Sequence, residues 1–266
     1  LRGEEIPEDS ILQNFVKLHQ MTADYKTREE IGVSPVLPLI EEYKSLSSFS
    51  DFANKMAEYE MDGKASLLPF GVAPDFMNAQ MNVLWAEAPS IILPDTTYYE
   101  EDNEKGKELL NIWRKSQEDL LPKFGFSDEE IKDLLDNIIK LDAKIAKYVL
   151  SREESSEYVK LYHPYEWEDF TKLTPELPLN TIFKEILGSL PDKVIVPEER
   201  FWTEFAKDFY SEDNWELLRA DLIVSTATSY NSYLTDDIRV LSGAYGRALS
   251  GTPQAQDKKK AAFYLA

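Results

Sequence analysis

The chain contains two histidines, His19 and His163. Hydrolytic zinc usually needs two imidazoles one helical turn apart, so that both reach one metal, with a glutamate nearby to activate bound water. His19 opens His19-Gln20-Met21-Thr22-Ala23 on an apolar helix face, where packing is the simpler role. His163 lies in Tyr162-His163-Pro164-Tyr165-Glu166-Trp167, which reads as a turn packed by aromatics, with Glu166 or Glu168 close enough in sequence to pair with it. Neither has a partner imidazole a turn away, so no metal is expected on this chain alone. A serine nucleophile fares no better, because no Gly-x-Ser-x-Gly elbow occurs. Gly243, Gly246 and Gly251 follow no predicted strand, so they read as close helix packing rather than a phosphate cradle. Acidic pairs such as Glu100-Glu101-Asp102, Asp128-Glu129-Glu130 and Asp236-Asp237 read as solvated surface. A carboxylate-only enzyme would need two acids converging in one pocket.

Composition narrows the remaining chemistry. No cysteine is present, which removes disulfides, thiolate metal sites and cysteine nucleophiles. With 49 acidic against 29 basic residues the formal net charge is -20, and a phosphate backbone would be repelled. Nucleic acid is therefore not an expected partner. The one basic cluster, Lys258-Lys259-Lys260, has no interleaved aromatics and reads as a solvated helix face. No apolar run approaches the ~20 residues of a membrane span. Lack of disulfides suits a cytoplasmic protein or an exported bacterial one, so compartment stays open. Leu1-Arg2-Gly3-Glu4-Glu5-Ile6-Pro7 resembles neither a signal peptide nor a natural start, and Ala261-Ala262-Phe263-Tyr264-Leu265-Ala266 stops within an apolar helical pattern. Truncation at both ends is the expectation.

The elements that must position any site are mostly helical. Ser127 and Glu130 form a capping-box signature, behind which Ile131, Leu134, Leu135, Ile138, Leu141, Ile145 and Tyr148 recur at helical spacing. Asp9 or Ser10 precedes Ile11, Phe15 and Leu18; Ser34-Pro35 precedes Leu39, Ile40 and Tyr43; Ser50 precedes Met56 and Tyr59. The segment between Thr22 and Gly32 is read as a turn. Leu109, Leu110, Ile112, Trp113 and Leu120 mark a helix ended by Pro122 and Gly125, and Ile182, Phe183, Ile186 and Leu187 mark one ended by Gly188. Pro197 is expected to start a helix carrying Phe201, Trp202, Phe205 and Phe209. From Ser211 a long helical tract runs to Gly251 with a bend near Thr226–Ser232. Only residues 78–94, where Met81, Val83 and Trp85 alternate with Gln80, Asn82 and Leu84 before Ser90-Ile91-Ile92-Leu93-Pro94, suggest one or two strands. The expected class is all-α, or mainly α: many helices with a small strand or hairpin element.

Three of these segments carry a resemblance. Leu93-Pro94-Asp95-Thr96-Thr97-Tyr98-Tyr99 is similar to the Leu-Pro-x-Arg-x-Tyr-Tyr segment of the neprilysin family of zinc endopeptidases. Tyr162-His163-Pro164-Tyr165, followed by Phe170 and Leu173, resembles that family's Tyr-Asn-Lys-Met-Thr turn. Arg247-Ala248-Leu249-Ser250-Gly251-Thr252-Pro253 resembles its Ala-Leu-x-Gly-Thr segment, followed here by Lys258-Lys259-Lys260-Ala261. Order and spacing agree over nearly the whole chain, and the absence of cysteine is similar to the bacterial PepO-type branch. Two departures stand out. Thr96 replaces a frequent Arg, and the family's His-Glu-x-x-His and Glu-x-x-x-Asp segments are absent.

The resemblance implies that residues 1–266 are the helical N-terminal or cap region of a zinc endopeptidase whose catalytic domain lies elsewhere in the same polypeptide. Zinc would belong to the parent protein. The cap would cover a closed cavity, admitting short peptides and excluding folded proteins. Asp95 and Thr96 are the candidates for lining that cavity and touching peptide substrate. Their other reading is a helix-entry turn packed by Tyr98 and Tyr99. The competing assignment for the whole chain is a stand-alone acidic, all-α interaction module, which predicts a closed, well-hydrated surface.

Overall fold

The computed structural model describes residues 10–266; Leu1–Pro7 and the candidate cap Asp9 lie outside them. Among the described residues are sixteen α-helices and one four-stranded sheet, so the fold is mainly α. None of those helices is long and apolar enough to cross a membrane.

The central helix, Asp128–Ile145, begins as its sequence dictates. Ser127 Oγ accepts from the Glu130 N–H at 3.3 Å, and Glu130 returns a carboxylate oxygen to the Ser127 N–H at 2.8 Å. Its stripe Ile131, Leu135, Ile138, Leu141 and Ile145 is buried and packs on the Trp215–Ser229 helix, which is buried on most sides. Tyr148 lies beyond the last helical residue, where its ring stacks on Phe205 at 4.7 Å between centroids. Replacing Ser127 with alanine orphans the first-turn donor and is expected to cost about 1 kcal/mol, read as a lower urea midpoint.

Several expectations need correction. The segment read as a turn between Thr22 and Gly32 holds a helix, Tyr25–Ile31, because the Asp24 carboxylate accepts from the Thr27 N–H at 3.1 Å. Arg28 on that helix is buried and donates to the carbonyls of Thr22, Ser232 and Leu234, which fixes it to a distant part of the chain. Ser48, not Ser50, caps the helix Phe49–Ala53, and Met56–Met61 follows as a separate helix. Leu37–Ser45 has Val36 at its N-cap, directly after Ser34-Pro35, and no side-chain cap. The aromatic helix starts at Glu199 rather than Pro197 and divides at Phe205 into Glu199–Glu204 and Ala206–Phe209. The bend expected in the long tract is a full break: the helix stops at Ser229, and Thr235 caps a new one, Asp236–Ser242. Of the three glycines there only Gly243 is closely approached, a Cβ on it standing 2.6 Å from the Arg247 guanidinium. A side chain at Gly246 would meet nothing within 4 Å, and Gly251 ends the helix Ala244–Ser250 at φ 64°.

The sheet is larger than its one sequence signal. Strand β2, Asn78–Ala86, is where alternation placed it, but Ser90–Pro94 is not a strand. The other strands are β1, Phe70–Asp75, β3, Pro164–Glu166, and β4, Lys193–Ile195. The order is β1-β2-β4-β3, with β1 and β3 antiparallel to their neighbours and β2 parallel to β4. The Tyr162–Tyr165 motif, expected as a turn, therefore enters a short strand. Buried Asp75 ties the sheet together: Lys193 pairs with it, the Met77 N–H donates to it at 2.9 Å and Tyr162 Oη donates at 2.9 Å. Those contacts, Lys193 foremost, hold its carboxyl below the ordinary range.

Candidate functional site

The Leu93–Tyr99 loop is built from its own residues. Asp95 caps the turn Thr96–Tyr99 by accepting from the Thr97 N–H at 3.0 Å and Thr97 Oγ1 at 2.7 Å. Its second oxygen accepts from the Arg152 N–H at 2.7 Å, so one carboxylate fastens two segments. These donors hold its carboxyl below the ordinary range, the Arg152 N–H contributing most. Thr96 is half-buried beside it. Tyr99 closes the loop from below: its hydroxyl accepts from the Leu93 N–H at 3.1 Å and donates to Asp142 at 2.6 Å. The other Asp142 oxygen accepts from the Ile92 N–H at 2.8 Å, while Tyr245 donates to the Ile92 carbonyl at 2.8 Å. Asp95 and Thr96 thus have structural neighbours of the kind their helix-entry reading requires.

Beside the 89–92 strip that leads into this loop opens a concavity of about 750 Å³. Its walls include the 89–92 strip, the Asp128–Ile145 and Trp215–Ser229 helices and the break that follows the latter. Asp95 and Thr96 are not on its surface. Two acids that sequence reasoning did not single out are: Asp142 and Asp221. Burial pushes the Asp142 carboxyl up to about 6 against the pull of Tyr99 and Ile92. Burial, and then the charge of Asp142, push Asp221 up to about 6, while a hydrogen bond from Ser225 pulls the other way. The signal available in sequence was weak: each is an acid within a run of apolar residues, Leu141-Asp142-Ala143 and Ala220-Asp221-Leu222. Because both Asp142 oxygens are committed to holding Tyr99 and Ile92, that side chain is a fastening rather than a proton shuttle.

Asp142 makes a pH prediction whose sign is opposite to ordinary acid denaturation. Its folded pKa of about 6 exceeds the unfolded value, so the folded protein binds the extra proton between about pH 4 and 6. Stability from this group is complete below about pH 4 and lost as pH rises through 6. That rise in the carboxyl's pKa is worth at most ~3 kcal/mol. The urea midpoint is expected to be higher at pH 5 than at pH 7, and Asp142→Asn to remove part of that difference, the rest coming from Asp221, whose carboxyl burial raises in the same direction. An Asp142→Asn protein with the parent's slope would assign the effect to another group.

The histidines are placed as packing residues. His19 is half-buried with its ring edge-on to Phe263, 6.1 Å between centroids. His163 Nδ1 lies 3.1 Å from the Val196 carbonyl, and Nε2 lies 3.6 Å from Glu199 rather than from Glu166 or Glu168. Among the described residues no three His, Asp or Glu side chains gather as metal ligands, and these two environments do not fit zinc. Lys258–Lys260 open a helix capped by Asp257, with the Lys258 ammonium 5.4 Å from the Tyr25 ring centre.

Comparison with known proteins agrees with this architecture. A Streptococcus gordonii protein named "Putative zinc metalloproteinase in scaA 5'region" is 61% identical over 266 residues, covering all of this chain and 47% of that protein. A Lactococcus lactis neutral endopeptidase is 32% identical over 260 residues, covering 97% of this chain and 41% of the relative. The crystal structure of PepO from Lactobacillus rhamnosis superposes with a TM-score of 0.89 at 25% identity, over 97% of this chain and 41% of that one. The chain spans less than half the length of each of these relatives. The family model described as peptidase family M13 matches residues 3–266, and with that match and the 61% relative the chain belongs to peptidase family M13.

Proposed function

We propose that this chain is the non-catalytic helical half of a zinc metalloendopeptidase, covering the active-site cavity of its parent and selecting peptides by size. The observation that carries the reading is the conjunction of family membership with a span below half the relatives' length and no pair of histidines one turn apart. Zinc and the groups that hold it would then come from the remaining polypeptide, which is also this region's principal partner. Unpartnered surface points the same way. The β1–β2 hairpin exposes Val72, Phe76, Met77 and Met81, and the 750 Å³ concavity is half apolar, whereas a stand-alone module would be closed and polar.

In this reading Asp95 shapes the loop and Thr96 presents it to bound peptide. Thr96→Ala in the whole polypeptide is expected to raise KM for peptides with kcat unchanged, since it removes binding shared by substrate and transition state. Size selection predicts that the whole polypeptide cleaves unstructured peptides and spares a folded protein containing the same cleavage sequence. Equal rates on both would refute it. The 266-residue chain alone should neither bind zinc stoichiometrically by calorimetry nor show chelator-sensitive cleavage; either result would place catalytic groups within it.

A further inference from the structure

The concavity beside the 89–92 strip is not merely a gap between helices. Its wall carries Asp142, Asp221 and Arg239 as its charged side chains. Arg239 is spent, because its guanidinium pairs with Asp236 and donates to the Gln256 carbonyl. Asp142 is spent on Tyr99 and Ile92. Among the described residues no cation pairs with Asp221, which is left as an acid of uncompensated charge. Gln117 and Asn231 also contribute to the wall, but their orphaned oxygens, Gln117 Oε1 and Asn231 Oδ1, are sealed from the open space. The backbone at the rim is also held out of its ordinary shape. Leu67 sits at φ 55°, a left-handed conformation unusual for a non-glycine residue, with its carbonyl accepting from Tyr210 Oη at 2.8 Å.

Whatever completes this wall must carry positive charge for Asp221 and bring an apolar body for Leu68, Ile91, Ile92, Trp113 and Val224. A cationic side chain on a protein segment meets both demands, since it brings N–H donors on a buried aliphatic stem. A small cation would neutralise Asp221 but leave the apolar wall wet. We infer that the concavity is the seat of a segment from the other half of the parent polypeptide, whose arginine or lysine side chain reaches Asp221. This rests on the reading of the chain as part of a longer protease. The charge of -20 here gives a basic segment a favourable approach, and the matched relatives carry more than half their length outside the aligned region.

The absence of native cysteine permits a direct test. Ser90 and Ser229 lie on the wall and are solvent-exposed, so Ser90→Cys and Ser229→Cys each place one thiol there without disturbing the core. Maleimide modification is expected to be fast in the 266-residue chain and at least tenfold slower in the whole polypeptide carrying the same substitution. Equal rates would overturn the assignment. Adding Asp221→Asn to the whole polypeptide should restore part of the labelling rate, and full protection despite it would show that no cation is held there. Protection of the 266-residue chain by a substrate peptide alone would also overturn it, by making the concavity a peptide site. Labelling does not depend on turnover. An active whole enzyme with a reactive thiol would sink this inference alone, and a protected thiol in a polypeptide without peptidase activity would sink the protease reading alone.

Discussion

Trp202→Ala is expected to lower folding stability by about 3–5 kcal/mol. Trp202 is 1% exposed, and its ring lies among Phe70, Phe170, Phe201 and Tyr210, with centroids 4.8 to 6.1 Å away. Its indole N–H is shared between the carbonyls of Ala86, at 3.2 Å, and Glu87, at 2.8 Å, where β2 leaves the sheet. Truncation therefore opens a cavity and also strips a donor from two carbonyls. Trp202→Phe separates the terms, because it keeps most of the ring but loses the N–H, and should cost about 1–3 kcal/mol. Urea unfolding followed by far-UV circular dichroism measures both. A loss below ~1 kcal/mol for the alanine variant would show that the helices and the sheet do not depend on this ring for their attachment.

Gly106→Ala should destabilise by about 3 kcal/mol or more, although alanine in a helix normally gains about 1 kcal/mol over glycine. A Cβ at this position would stand 1.8 Å from the Tyr98 carbonyl oxygen and 2.8 Å from its carbon. Both are backbone atoms, so no rotamer change relieves the overlap. Gly106 lies in the first turn of Glu104–Leu120, where Asn103 accepts its N–H at 2.9 Å and donates to the Thr97 carbonyl at 3.0 Å. The loop and the helix are thus locked face to face, and separating them would pull Tyr99 from Asp142. Because Tyr99 pulls the Asp142 carboxyl down against its burial, losing that contact should raise it further and steepen the pH dependence. A Gly106→Ala protein as stable as the parent, with the same pH slope, would refute the close approach.

Local rules made the helices legible where one residue type decides the outcome. Ser127 with Glu130, Gly125 after Pro122 and Gly188 after Leu187 each fix a terminus through their own backbone bonds. The helix at Tyr25–Ile31 escaped because its cap, Asp24, sits only one residue beyond the end of the preceding helix at Ala23, so two short helices read as one helix and a turn. Strands β3 and β4 escaped for a different reason. Three residues each are too few to show alternation, and their partners lie far away in sequence. The family was legible from three short motifs, and the structure explains the strongest of them: Leu93, Asp95 and Tyr99 hydrogen-bond one another's surroundings into a fixed shape. The concavity was not legible, because Asp142, Asp221, Gln117 and Asn231 meet only through tertiary packing. Asp95 and Thr96 were legible as a turn, and their contact with peptide is a question for the whole enzyme.

The parallel pairing of β2 with β4 has a consequence during synthesis. The Leu84–Trp85 edge finds its partner, Val194–Ile195, only after roughly a hundred further residues have been made. At about 5–20 residues per second, the ribosome leaves that edge and its apolar hairpin unmated for ~5–20 s. Nascent chains arrested before Lys193 should accordingly cling to chaperones, and release from them should coincide with emergence of this one short strand.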